Sequence, residues 1–490
     1  MRSNAIAVIA IGFALMLAAC GDGGGGGGGG GTPGGPIFGV QITQKEYIKS
    51  SNSEAIDNFG WAVALDGDTL AVSALGEDSI ANVVDGDQIN NGGSNLGAVY
   101  VFTRSNGVWT QQAYIKPSNP DNGDQFGAGL ALSGDTLVVG APMEDSGAAN
   151  NPADNNAGDS GAVYVFVRDG TTWTQQANLK ASDIGTGDLF GFSVAIDGDT
   201  LAVGAQREDS NATGVNGDQL NENGGESGAA YVFVRSSGNW TQEAYVKPLN
   251  TGISDFFGSS VALSGDTLAV GAPLEDLNAT GVNPIGGADT AGESGAAYVF
   301  IRSGALWNQQ AYIKASNTGA DDEFGWSVAL DGDTLAVGAR FEGSAANGAA
   351  YVFTRTGTFW SQQALIRASN AEDSDAFGSS IALDGDLLAA GAPAEASEAT
   401  SVGGNQTNNS APNSGAAYLF QRAGGAWSQR SYIKASNSDM SDKFGGAVAL
   451  SGTTVVVGAV GEDSFDTGVG ADQVDFHPDH DSGAAYVFAP

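Results

Sequence analysis

Phe59-Gly60-Trp61-Ala62-Val63-Ala64-Leu65-Asp66-Gly67-Asp68-Thr69-Leu70-Ala71-Val72-Ser73-Ala74 is the stretch that decides the fold. Two short apolar, β-branched runs flank Asp66-Gly67. That step is a strong hairpin signal, because the tight turn needs a residue at ease with positive φ. A polar loop follows, then Gly97-Ala98-Val99-Tyr100-Val101-Phe102, a turn, and Trp109-Thr110-Gln111-Gln112-Ala113-Tyr114-Ile115-Lys116. The unit reads as four antiparallel strands.

The unit repeats. Phe-Gly recurs at Phe59, Phe126, Phe190, Phe257, Phe324, Phe377 and Phe444. The third-strand Tyr recurs at Tyr100, Tyr164, Tyr231, Tyr298, Tyr351, Tyr418 and Tyr486. Each of the first six Tyr precedes the next Phe-Gly by 26 residues. The first hairpin is short throughout, so all length variation falls in the loop from strand two to strand three. Seven such units predict an all-β, seven-bladed propeller of four-stranded antiparallel blades.

The last unit stops at its third strand, Tyr486-Val487-Phe488. The missing fourth strand lies at the other end. Gln44-Lys45-Glu46-Tyr47-Ile48-Lys49 matches the class of Gln111 to Lys116. The N-terminal strand is therefore expected to complete the last blade and close the ring, which protects its edges. Trp109, Trp173, Trp240, Trp307, Trp360 and Trp427 open strand four, and Ile42 holds that place in the N-terminal strand. A residue type recurring at one framework position reads as blade packing.

Composition narrows the function. Gly is 75 of 490 residues, about twice the usual share. Lys+Arg is 19 against 56 Asp+Glu, a formal charge of −37. Little is present to neutralise phosphates, which argues against nucleic acid and anionic lipid as partners. One cysteine excludes an intrachain disulfide framework.

Residues 1–19 read as a lipoprotein signal peptide. Arg2 precedes an apolar run from Ala5 to Ala19, too short to span a bilayer comfortably. Leu17-Ala18-Ala19-Cys20 resembles a bacterial lipobox, which implies lipidation of Cys20. Gly21 follows in place of Asp, which in that pattern favours the outer membrane. Residues 20–41 carry nine consecutive glycines, Gly23 to Gly31, and read as a flexible tether. A flexible chain of that length is expected to have a root-mean-square reach of roughly 25 Å. Residues 42–490 hold the repeats.

Phe126-Gly127 with Gly140-Ala141-Pro142 resembles the FG-GAP repeat of integrin α-chain propellers. Phe257-Gly258 with Gly271-Ala272-Pro273 and Phe377-Gly378 with Gly391-Ala392-Pro393 do too. The resemblance implies extracellular recognition or adhesion, and in some relatives glycan chemistry. Integrin-type calcium loops lie between strands one and two. Here that connection is only Asp66-Gly67-Asp68 or its equivalents, too short to wrap an ion that takes six to eight oxygens. Those calcium sites are not carried over, and the cofactor stays open, with Ca2+ the candidate.

Strand parity puts the variable loops and the crossovers on one face. An Asp stands two residues before every Phe-Gly: Asp57, Asp124, Asp188, Asp255, Asp322, Asp375 and Asp442. A Glu opens every variable loop: Glu77, Glu144, Glu208, Glu275, Glu342, Glu395 and Glu462. Two readings compete. The Asp residues cap turns through backbone N–H groups, or the pairs Asp57/Glu77, Asp124/Glu144 and Asp188/Glu208 hold cations. The seventh loop adds a candidate metal site at Asp475, His477, Asp479, His480 and Asp481, mixing imidazole and carboxylate. Asp85 and Asp87 in the first loop, and Asn216, Asp218 and Asn221 in the third, are candidate ligand-binding residues around a shared Gly-Asp-Gln step. Arg104 and its equivalents follow strand three, and Lys49, Lys116, Lys180, Lys247, Lys314, Arg367 and Lys434 end strand four. Their recurrence reads as charge pairing at blade edges.

The expectation is a lipid-anchored, exported lipoprotein of the outer membrane or cell surface. Its propeller would bind an extracellular protein or glycan through the strand 2–3 loops. The alternative is a polysaccharide-active lyase or hydrolase. No nucleophile–base pair stands out, and a carboxylate pattern repeated sevenfold singles out no acid/base pair.

Overall fold

The computed structural model describes residues 41–148, 154–473 and 480–490. Cys20 and the segments 1–19 and 20–40 lie outside these residues, as do Asp475, His477 and Asp479. Among the described residues, twenty-eight strands form seven four-stranded antiparallel sheets. Six sheets take consecutive strands in order. The seventh joins Ala447–Ser451, Thr454–Ala459 and Ala484–Ala489 to the N-terminal strand Thr43–Ile48. Thr43 pairs with Ala489 and Ile48 with Ala485, so the ring closes as expected.

Each blade packs on its own aromatics. Phe59 meets Tyr100 edge-on at 5.4 Å and Phe102 at 6.3 Å. All seven Phe-Gly phenylalanines are fully buried in this way. The glycines serve the seams between blades. A Cβ on Gly458 would overlap the carbonyl of Gly60, which itself sits at φ 93°. The same contact joins Gly140 to Gly191 and Gly204 to Gly258. The Gly of Phe-Gly and the Gly of Gly-Ala therefore recur together because neighbouring backbones touch through them.

Strand one does not start at the same place in every blade. It begins at Phe59, Phe190 and Phe324 in blades one, three and five. It begins at Leu130, Ser260 and Ser380 in blades two, four and six, and at Ala447 in blade seven. Pro142, Pro273 and Pro393 follow Gly-Ala in blades two, four and six. Proline has no N–H with which to extend the ladder. Blade seven has Gly446 in the inner segment, and glycine weakens a strand there.

The opposite face from the variable loops is tied across blades. Arg104 binds Asp68 in the first hairpin of its own blade at 2.6 Å and lies over the Trp109 ring at 5.1 Å. It also donates to Thr454 of blade seven. Arg168, Arg235, Arg355 and Arg422 reach Thr69, Thr136, Thr267 and Thr334 in the same way. One planar guanidinium thus serves a carboxylate, an indole and a neighbouring blade.

Candidate functional site

On the loop face, the Glu after strand two and the Lys at the end of strand four meet inside each blade. Lys116 Nζ lies 2.9 Å from Glu77 and also donates to the carbonyl of Gly97. Lys180 meets Glu144 at 2.9 Å, Lys247 meets Glu208 at 2.9 Å and Lys314 meets Glu275 at 2.6 Å. Lys434 meets Glu395 at 3.1 Å, and Lys49 of the N-terminal strand meets Glu462 at 2.6 Å. These six pairs are buried. Blade five uses Arg367 with Glu342, and there the cation is 45% exposed. Its strand 2–3 loop is the shortest of the seven, so less chain covers the pair.

Burial is tolerable because every group is satisfied. Glu77 also accepts from Tyr114 Oη at 2.7 Å and Asn52 at 3.2 Å. Lys247 also donates to Ser227 and the Gly228 carbonyl. Burial still pushes the ammonium groups of Lys116, Lys180, Lys247, Lys314 and Lys434 below their usual range, opposed by the partner Glu.

The Asp before each Phe-Gly caps its own turn. Asp57 accepts the backbone N–H of Glu54 at 2.9 Å, Asp124 that of Asp121 at 2.8 Å and Asp188 that of Gly185 at 3.1 Å. Asp255, Asp322, Asp375 and Asp442 do the same three residues back. Burial pushes the Asp57 and Asp124 carboxyls up to about 8, and the nearby Glu adds to it. Asp188, raised first by burial and then by Glu208, reaches about 7. The structure thus brings Asp57 near Glu77, Asp124 near Glu144 and Asp188 near Glu208. The cation already among them is a lysine ammonium. Among the described residues, no three His, Cys, Asp or Glu side chains converge as a metal cluster.

One crossover departs from the pattern. Asp183 stands where Asn52, Asn119, Asn250, Asn317, Asn370 and Asn437 stand elsewhere. Burial and the charge of Glu208 raise its carboxyl.

The variable loops fold back over the outer edge of strand four. Asp85 N donates to Tyr114 O, and Tyr114 N donates to Asp85 Oδ1. Asn216 does this with Tyr245 and Asn283 with Tyr312. Asp85 and Asn216 take positive φ to do so. Asp87 and Asp218 each accept an N–H two residues on, closing small turns. Asn221 is half-buried and donates to the Asp218 carbonyl. His480 and Asp481 both donate backbone N–H groups to Asp463, and the His480 ring lies 4.0 Å from Phe465.

Two features escaped sequence reasoning. The Gln of the shared step is a clasp to the preceding crossover: Gln88 accepts from Ser51, Gln219 from Ser182 and Gln473 from Ser436. Gln406 with Ser369 is a fourth case. The paired recurrence of Gln and Ser was the available signal. The second feature is axial. Trp61, Phe192 and Trp326, each following a Phe-Gly in alternate blades, line a cavity of about 190 Å³ on the ring axis.

A family model described as FG-GAP repeat matches residues 42–102, 109–166, 173–233, 240–300, 307–353, 360–420 and 427–488. No curated protein sequence matches the chain. Among solved structures, a crystal structure named for a candidate 6-phosphogluconolactonase of Bacteroides uniformis is similar, with a TM-score of 0.44 and 10% identity. The similarity covers 77% of this chain and 86% of that one.

Proposed function

The chain belongs to the FG-GAP repeat family, and from that premise we propose that it is a binding module. It recognises an extracellular protein or glycan through the strand 2–3 loops. One observation carries the reading. The recurrent charged side chains of the loop face are spent inside the blades, while large apolar side chains stand out from the loops themselves. Ile89, Leu220 and Ile285 are 82%, 80% and 103% exposed. Exposed apolar groups on loops held by a rigid frame are where partners make contact. The lipobox-like Leu17-Ala18-Ala19-Cys20 and the glycine tether support display from a membrane surface.

Photo-crosslinking tests the reading. A crosslinking residue at Ile89, Leu220 or Ile285 captures a defined partner from the native envelope. The same residue at Val108 or Phe359, exposed in the hairpin between strands three and four on the opposite face, does not. Equal capture from both faces would overturn the loop assignment.

A further inference from the structure

Five seams between blades share one hydrogen bond. The indole N–H groups of Trp173, Trp240, Trp307, Trp360 and Trp427 donate to Gln112, Gln176, Glu243, Gln310 and Gln363 of the preceding blade. The seam between blades six and seven has lost both halves of this bond. Ile42 stands where the Trp stands, and Arg430 where the acceptor stands.

A cavity of about 670 Å³ opens at that seam. This lies within the size range of small-ligand sites, about 300–1,000 Å³. Ile42, 3% exposed, gives it an apolar wall. Thr43, Ser401, Gln406 and Ser431 line it with neutral hydroxyl and amide groups. Arg430 lines it too, and one of its N–H groups goes to Gln421 at 3.0 Å. Among the described residues, no Asp or Glu lines the groove, in a chain that carries 56 of them.

That chemistry is selective. Hydroxyls and amides both donate and accept, which suits sugar hydroxyls. A guanidinium binds a carboxylate through two parallel hydrogen bonds. A lining whose described residues carry no carboxylate repels an anionic ligand less than an acidic surface does. We propose that the groove between blades six and seven binds an acidic saccharide, a chain of uronic acids. Arg430 takes a uronate carboxylate, and the neutral side chains take ring hydroxyls. The proposal rests on the binding-module reading and names one ligand class for it.

The test is titration calorimetry of the full chain with a tetragalacturonate and with its carboxyl-reduced, neutral counterpart. The acidic oligomer binds, and the neutral one binds at least about tenfold more weakly. Arg430→Gln reduces affinity for the acidic oligomer by at least about tenfold. The double variant Ile42→Trp/Arg430→Gln installs the Trp and Gln found at four of the other seams and fills the cavity. It loses binding while its melting temperature is unchanged or raised. Three results would each overturn the proposal: no binding of the acidic oligomer, equal affinity for the neutral one, or full binding by the double variant. Loop crosslinking reads the module separately, so its success beside failure here removes the groove alone.

Discussion

Asp57 shows how a framework residue acquires a pH dependence. Its carboxyl is buried against Glu77 and held at about 8, and Asp124 likewise. Asp255 and Asp375 are raised to about 7 by the same burial. A free Asp titrates near 3.9. The folded chain therefore holds these protons more tightly than the unfolded chain. Their contribution to stability is full below about pH 4 and is lost as pH rises through about 8. The melting temperature is expected to fall between pH 5 and pH 8.5. Asp57→Asn keeps the acceptor for the Glu54 N–H and removes the charge. It should match the parent near pH 4 and exceed it increasingly above that, by at least about 1 kcal/mol at pH 8.5. Thermal melts across that range decide the point. An unchanged profile in the Asp57→Asn and Asp124→Asn variants would assign the pH dependence to net charge instead.

At the scale of the element, the question is how an outer strand avoids pairing with a foreign one. The loop answers it by lying along strand four, pinned at Asp85, Asn216 or Asn283. Asp85→Ala removes the side-chain acceptor and disfavours the positive φ. The expected local cost is about 1–2 kcal/mol. Hydrogen exchange at the Tyr114 amide should quicken by about tenfold or more. Asp85→Asn, the residue that blade three already uses, should leave it unchanged. The loop lengths and the Gly-Asp-Gln step were legible in the sequence. Their hold on strand four was not, because Asp85 and Tyr114 are neighbours only after the blade has folded.

At the scale of the molecule, closure and charge burial are one event. Lys49 enters with the N-terminal strand and supplies the only lysine that meets Glu462 among the described residues. Tyr47 Oη donates to the same carboxylate at 2.5 Å. Lys49→Met leaves a buried carboxylate without its cation, at an expected cost of about 3–5 kcal/mol. Adding Glu462→Met should recover part of it, since the buried charge is gone while Tyr47 Oη and Asn437 lose an acceptor. Denaturant melts of the two variants check this. If both melt like the parent, the strand does not lock the ring through this pair.

Blade number, ring closure and the confinement of length variation to one loop follow from the sequence alone. Their determinants are local and repeated: Phe-Gly, Asp-Gly hairpins, the strand-three Tyr, and a stray strand at the N-terminus. Repetition also made the Glu and Lys positions visible, and it pointed to framework. What it did not supply was the partner of each. Glu77 follows strand two and Lys116 ends strand four, with a loop of irregular length between them. Only the sheet brings them to 2.9 Å. The seam between blades six and seven is the extreme case. Ile42 and Arg430 stand near opposite ends of the chain, and each reads alone as a minor departure from its repeat. They become one groove because closure sets the first strand against the sixth blade, and only the side-chain packing there leaves a cavity between them.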